Sequence, residues 1–366
     1  MELKLPSNME FIVPDNATEI IGELVEKMRN GKNILVIGNG FDLYHGIPTR
    51  YYDFVEFTKN PIVDNCNEKK GEMVLKICKE NPFLTYLKSI VSSEKQWIDC
   101  EQEIAAVISV FSKLMSKATL PIADIYLSGK DCEIGLSFTD YVTFHKVNSE
   151  FKFKKWIEPD NAAFNKEGLL TNLKEKLNEV IFVLHYYLFK NCLDTPISKK
   201  SKQLESIVFD KVINFNYTYT YRHYGIDSDK IFFIHGKLDD FNTMVLGIDD
   251  YEQEDLNFIY FKKYFQRIQK KLGTIDSEWF KKPVSEDGII ADKVDKADRV
   301  CFFGHSMSNS DGDIIKDIFS RTQQVIIFFL NQGDYEQKII NLIDIFGKDK
   351  ILKDTHSGFI RFVEIE

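Results

Sequence analysis

The sequence has no closely spaced pair of cysteines. Its six cysteines (Cys66, Cys78, Cys100, Cys132, Cys192, Cys301) are scattered, with no CxxC motif and no metal-finger spacing. That excludes a zinc ribbon and argues against a disulfide framework, leaving reduced, mostly buried thiols in a cytosolic protein. A basic excess is missing as well. Lys and Arg number 47 against 56 Asp and Glu, a formal charge of −9, so non-specific binding to nucleic acid is not expected, short of a local basic patch. No long apolar run occurs. The most apolar helical stretch, Val180 to Phe189, is interrupted by His185 and falls far short of the roughly 20 residues a membrane span requires. The opening MELKLPSNMEF has neither the basic start nor the apolar core of a secretory signal. Together these absences imply a soluble, cytoplasmic protein without membrane partners. Neither an internal repeat nor a low-complexity tract stands out.

What is present is ample apolar content, 44% of 366 residues, enough for one α/β core carrying a large insertion. Ile34 to Ile37 form a short, wholly apolar run that meets Gly38, the pattern of a buried parallel strand, which is predicted over 33–37. Further strands are predicted at 208–215, 230–235, 243–248, 299–304, 324–330 and 357–364. Helices are predicted at 17–29, from 51 to 58, and at 218–224, 252–271, 311–321 and 334–346. Strands alternating with helices imply βαβ units and a mainly parallel, Rossmann-like sheet. Between about 65 and 200 helical periodicity replaces the strand signals. The expected organisation is therefore a nucleotide-binding core over 1–64 and 201–366, with a mostly helical insertion over 65–200. The insertion is the natural place for self-association into a homo-oligomer, although no heptad run marks it.

Two insertion helices differ in character. Leu169, Leu170, Leu173, Leu177, Val180, Ile181, Leu184, Leu188 and Phe189 form a broad apolar face, the signature of a core or interface helix. The other carries Trp97, Glu101, Ile104, Ile108, Phe111 and Met115 on one face. Glu101 is the one acid in that stripe, and a carboxylate among apolar neighbours must find a partner or have its pKa raised. It is either an edge residue paired with a surface lysine or an acid directed into a ligand cleft.

Four turns share one form, an apolar strand running into glycine or polar residues. In open α/β sheets, ligands bind beyond such carboxyl ends. The first is Gly38-Asn39-Gly40-Phe41, followed by Asp42 and His45; Leu43 stands where a dinucleotide fingerprint has its third glycine. Its glycines would let backbone amides approach a phosphate or ribose, while Asp42 would accept from a ribose hydroxyl, orient His45 or merely cap a turn. The second contains Asn214, Asn216 and Thr218. The two asparagines share one side of the strand and suit an amide, a sugar or a base edge; one of them could instead cap a helix. The third ends at His235-Gly236, where an imidazole near its ordinary pKa of about 6.5 could take a proton at neutral pH. The fourth is Gly304-His305-Ser306 through Ser308, Ser310 and Asp311, a group suited to phosphate or ribose contacts, with Ser310 or Asp311 available as a helix cap.

Taken in order, IGNGFDLYHGIPT, WIDCE, NFNYT, IHGKLDD with LGIDD, and GHSMSNSD resemble the AbiH family of bacterial abortive-infection, anti-phage proteins over about 33–330. The resemblance implies a role in phage defence by stopping growth of the infected cell, with a phage-derived trigger as a partner. More coarsely, the same order is similar to sirtuin-type NAD-binding domains: a Gly-x-Gly loop, Gly46-Ile47-Pro48, an Asn-containing turn, His-Gly and Gly-x-Ser. By position, that similarity implies that Gly38, Gly40 and Asp42 touch the cofactor and that Asn216 sits by the nicotinamide ribose. It makes His235 the base and brings Gly304 and Ser306 to the adenosine side. Asn39 and Asp42 stand where the sirtuin loop has Ala and Ser, and Thr218 replaces an acid. With the zinc ribbon also absent, simple NAD⁺ cleavage is favoured over lysine deacylation.

The expected chemistry is hydrolysis of the nicotinamide–ribose bond, with NAD as substrate and no metal. Asn216 would position the ribose, His235 would act as base, and Asp42 or Glu101 would lend negative charge near C1′. Asn39, Phe41, His45, Asn214, Thr218, His305 and Asp311 complete the expected nucleotide contacts. Two alternatives compete. One is a metal-dependent phosphoesterase or nuclease using Asp42, His45, Asn214 or Asn216, His235 and His305. The other is a nucleotide-binding sensor without catalysis.

Overall fold

In a computed structural model, the structure describes residues 32–63, 68–91, 99–116, 165–248, 256–275, 280 and 296–366. The helix expected over 17–29, Trp97, Cys66, Cys132 and the end of LGIDD lie outside the described residues, as does the side chain of Met115.

The chain begins with strand β1 (Asn33–Ile37), the short helix α1 (Asn39–Tyr44) and α2 (Tyr51–Lys59). Helices α3 (Glu68–Glu80), α4 (Pro82–Ile90), α5 (Cys100–Ser116) and α6 (Lys166–Asn191) follow, then the single turn α7 (Lys202–Glu205). Local chemistry sets their starts: Asn81 accepts from Leu84 N ahead of Pro82, and Asn165 accepts from Gly168 N. The chain then returns to the sheet with β2 (Lys211–Asn214) and β3 (Ile231–Phe233), followed by α8 (Lys263–Gln269) and β4 (Arg299–Phe303). It closes with α9 (Gly312–Ser320), β5 (Val325–Phe329), α10 (Gln332–Phe346), α11 (Lys348–His356) and β6 (Ile360–Glu364).

The six strands form one sheet in the order β3-β2-β1-β4-β5-β6, and every pair is parallel. The fold is thus α/β with a parallel sheet and a helical insertion between β1 and β2. Its order reverses direction between β1 and β4, and ligands of such sheets bind at that switch point. Both faces are covered, as a parallel sheet requires. Alternate residues of β1 point opposite ways: Leu35 and Ile37 join the insertion helices in one core, while Ile34 and Val36 join α9, α10 and α11 in another. The same split divides Cys301 and Phe303 from Val300 and Phe302 on β4.

Three expected elements differ in the structure. Residues 243–248 form no strand. The turn at Gly236 (φ +81) and a 3₁₀ turn over Phe241–Thr243 fold this stretch back, so that Val245 N donates to His235 O. Met244, Val245 and Leu246 are buried by packing, and only Ile248 makes an isolated bridge, to Lys262. The apolar run reflected burial, not ladder pairing. The described part of the 252–271 helix breaks into a 3₁₀ segment, Leu256–Phe261, and α8. The helix expected at 218–224 is a 3₁₀ turn, Thr220–Tyr224, closed by Gly225 (φ +68). Conversely, the first glycine turn contains α1, starting directly after Gly38. Among the described residues, no helix is long and apolar enough to cross a membrane.

Candidate active site

The turns after β1, β2, β3 and β4 line one cavity of about 820 Å³ at the switch point, together with Glu101 of α5 and Lys263 of α8. Gly38, Asn39, Gly40, Asp42, Asn216 and Thr218 are among the lining residues. His235, Gly304, His305, Ser306 and Asp311 line it too.

Three expected contacts are directed elsewhere. Phe41 is fully buried in the core. His45 is buried too, with Nδ1 2.6 Å from Phe41 O and Nε2 2.7 Å from Tyr224 Oη, which holds the ring against α1. Asn214 ties its own turn: Oδ1 accepts from Asn216 N at 2.8 Å and Nδ2 donates to Thr218 O at 3.0 Å. None of the three belongs to the cavity lining.

The glycines are used differently from a phosphate cradle. A Cβ on Gly38 would lie 2.7 Å from His305 Cα, and one on Gly304 (φ +67) would lie 2.0 Å from Phe41 N. Gly38 N donates to Phe303 O and Gly40 N to Gly304 O. The glycines let the β1 and β4 turns pack backbone on backbone, and they spend amides on each other. Asn39 is held as well, its Oδ1 accepting from Thr49 Oγ1 at 2.5 Å.

The polar groups divide into two clusters. In the first, Thr218 Oγ1 donates to Asp42 Oδ2 at 2.5 Å, and Asn216 Nδ2 donates to Gly38 O at 2.9 Å. Asp42 Oδ1 is buried with no hydrogen-bond partner. Burial raises the Asp42 pKa to about 6 despite the Thr218 hydrogen bond.

The second cluster centres on Asp311, which occupies the N-cap position of α9 without capping it. Its Oδ1 is 3.0 Å from His235 Nε2 and 3.4 Å from Lys263 Nζ, and its Oδ2 is 4.0 Å from His305 Nε2. Burial opposes the Asp311 charge, but Lys263 and His235 outweigh it and hold the carboxyl well below the usual range. Lys263 also meets Glu101 Oε2 at 2.7 Å and Ser310 Oγ at 3.2 Å. Glu101 therefore does pair with a lysine, but a buried one inside the cavity. Burial lifts its pKa to about 8 against the pull of Lys263. Its Oε1 accepts from Tyr51 Oη at 3.4 Å.

Both histidines of this cluster are neutral near pH 7. Burial lowers His235, opposed by Asp311, and brings His305 down to about 4. His305 Nδ1 accepts from Met307 N at 3.0 Å, across a turn in which Met307 itself has φ +58. The Phe215 ring lies edge-on to both imidazoles, 5.5 Å from His235 and 4.3 Å from His305. His235 Nδ1 is buried and has no hydrogen-bond partner. His235 Nε2, 3.0 Å from Asp311 Oδ1, is buried without an aligned hydrogen bond as well, and a buried polar atom left unpaired costs about 1–3 kcal/mol.

Lys263 escapes recognition from sequence. It lies in the doublet Lys262-Lys263, which composition cannot tell from a solvated surface pair, and only the flanking Phe261 and Phe265 hint at burial. Among the described residues, no group of three or more His, Cys, Asp and Glu is arranged to hold a metal ion.

Residues 34–331 match the family model described as Bacteriophage abortive infection AbiH. No curated protein and no solved structure matches the chain.

Proposed function

The chain belongs to the AbiH family of bacteriophage abortive-infection proteins, and on that basis we propose that its anti-phage action is hydrolysis of NAD⁺ at the nicotinamide–ribose bond, through a site similar to that of sirtuin-type NAD-binding domains. The observation that carries the reading is the position of His235: a neutral imidazole with an unpartnered Nδ1, beside Asp311, in a cavity at the switch point of a β3-β2-β1-β4-β5-β6 sheet. That strand order and that location are those of dinucleotide sites.

In the proposed reaction the glycosidic C1′–N bond breaks and its electron pair leaves with nicotinamide, which departs neutral and needs no general acid. Positive charge develops on the ribosyl ring. The ionised Asp42, with one oxygen free of protein partners, stabilises that charge or accepts from a ribose hydroxyl. Asn216 gives its amide to Gly38 O, so its carbonyl oxygen is the group that meets the ribose. His235 takes the proton from the attacking water or from a ribose hydroxyl as the new C1′–O bond forms, a contribution of roughly 10²–10⁴-fold for a positioned base. Glu101, set against Lys263 in the same cavity, is the alternative carboxyl for the ribosyl charge when ionised.

The test is to incubate purified full-length protein with NAD⁺, NADP⁺, ATP, DNA and RNA separately, with and without lysate of phage-infected cells, and to identify products by mass spectrometry. Nicotinamide and ADP-ribose from NAD⁺ are expected. Absence of nicotinamide under both conditions overturns the proposal.

A further inference from the structure

Lys263 belongs to none of the turns that carry the motifs, yet it is 4% exposed and lies at the junction of the cavity's charges. Its ammonium touches Glu101 from the insertion at 2.7 Å and Asp311 from the core at 3.4 Å, with Ser310 Oγ at 3.2 Å. Asp311 in turn is 3.0 Å from His235 Nε2. The groups facing Asp311 are thus Lys263, His235, His305 and Ser310, with Glu101 behind the lysine.

We propose that Lys263 is a positioning residue for His235: by keeping Asp311 an anion turned away from its helix and toward the imidazole, it makes Nε2 the protonated nitrogen and leaves Nδ1 as the base. This rests on the reading of His235 as the base, but concerns which of its nitrogens carries the proton.

The reasoning is one of charge balance and tautomers. An ionised Asp311 only accepts, so the ring nitrogen beside it carries the hydrogen and the opposite nitrogen keeps its lone pair. His305 cannot substitute for the lysine, because its Nδ1 accepts from Met307 N and the ring is neutral. Without Lys263, Asp311 would lose the cation that offsets its burial, and burial of the charge drives a proton onto the carboxyl. A protonated Asp311 donates to Nε2. The imidazole must then carry its own hydrogen on Nδ1, and the basic nitrogen points away from the substrate. His235 Nε2 and Asp311 are close but not aligned as a hydrogen bond, as is usual for catalytic pairs before substrate binds.

The experiment reads the tautomer directly, by long-range ¹H–¹⁵N correlation of the imidazole nitrogens in the full-length protein. Expected results are the Nε2–H tautomer for wild type, Lys263→Arg and Glu101→Gln. Lys263→Met is expected to lose that pure state, and its kcat for nicotinamide release to fall about 10²-fold with little change in KM. The double variant Lys263→Met/Glu101→Gln, which removes the ammonium together with its Glu101 partner, is expected to show the same loss of the Nε2–H state and guards against misfolding of the single variant. An unchanged Nε2–H tautomer in either Met-bearing variant overturns the proposal. So does Lys263→Arg behaving like Lys263→Met. Because the tautomer is read without turnover, its outcome is independent of whether NAD⁺ is the substrate.

Discussion

The glycine turns after β1 and β4 and the charged cluster around Asp311 lie in the same cavity but are built on opposite terms. In the turns, every unusual feature is consumed internally: Gly38 and Gly40 give their amides to Phe303 O and Gly304 O, and the space of the missing side chains is filled by the facing backbone. Around Asp311, side chains hold one another in place but leave His235 Nδ1 without a partner. The motif-rich turns pack on one another, whereas the Asp311 cluster leaves buried polar atoms of His235 unsatisfied. Asp42 stands between the two, anchored by Thr218 through one oxygen and open at the other.

The sharpest way to break that contrast is His235→Asn, which preserves size and a polar group while removing the base. Nicotinamide release is expected to fall by roughly 10²–10⁴-fold with an unchanged melting temperature; an activity loss under tenfold would move the chemistry elsewhere.

The scaffold side is tested by comparing two left-handed glycines. Gly304→Ala forces a Cβ to within 2.0 Å of Phe41 N, whereas Gly225 (φ +68) has nothing within 4 Å. Urea unfolding should show Gly304→Ala destabilised by about 2–4 kcal/mol and Gly225→Ala by only about 1–2 kcal/mol, the cost of the backbone conformation alone. Equal costs would mean that the two turns do not depend on close packing.

Asp42→Asn should separate function from stability. The folded-state pKa of Asp42 is raised by burial, to about 6, so its charge opposes folding once the pH exceeds that of the unfolded group. Asp42→Asn should therefore stabilise the protein at pH 7, by about 1–3 kcal/mol. The advantage should shrink as the pH falls from 6 toward 4, where the wild-type carboxyl is protonated too. Activity should drop by about tenfold, giving opposite signs for stability and turnover. The smallest effect is in the pH profile. For wild type, kcat/KM should fall on the acid side through about pH 6 as Asp42 takes up its proton. In Asp42→Asn that limb should lie lower.

Legibility in the sequence followed locality. β1 was readable to the residue because an unbroken apolar run buried on both faces ends at a glycine, and both requirements are contiguous. The places where the four turns occur were readable for the same reason. Their uses were less so: whether a glycine serves a ligand or a neighbouring backbone depends on what faces it, and for Gly38 the facing group is His305. The stretch 243–248 misled because burial and ladder pairing leave the same apolar signature. Glu101 could be singled out as the odd acid in a stripe, but its partner could not, since nothing in Lys262-Lys263 distinguishes a buried ammonium from a solvated one.

The sequence alone determined the α/β class, the strand ends that bear polar turns and the family, because each is written in short-range patterns of apolar, glycine and polar residues. Only the tertiary structure decided that Phe41, His45 and Asn214 lie behind the cavity lining, that Asp311 faces His235 instead of capping α9, and that a lysine from α8 meets two carboxyls from different parts of the chain. Charge compensation in a buried site depends on distances of 3–4 Å between residues far apart in sequence, and such distances exist only once the sheet has brought its strand ends together.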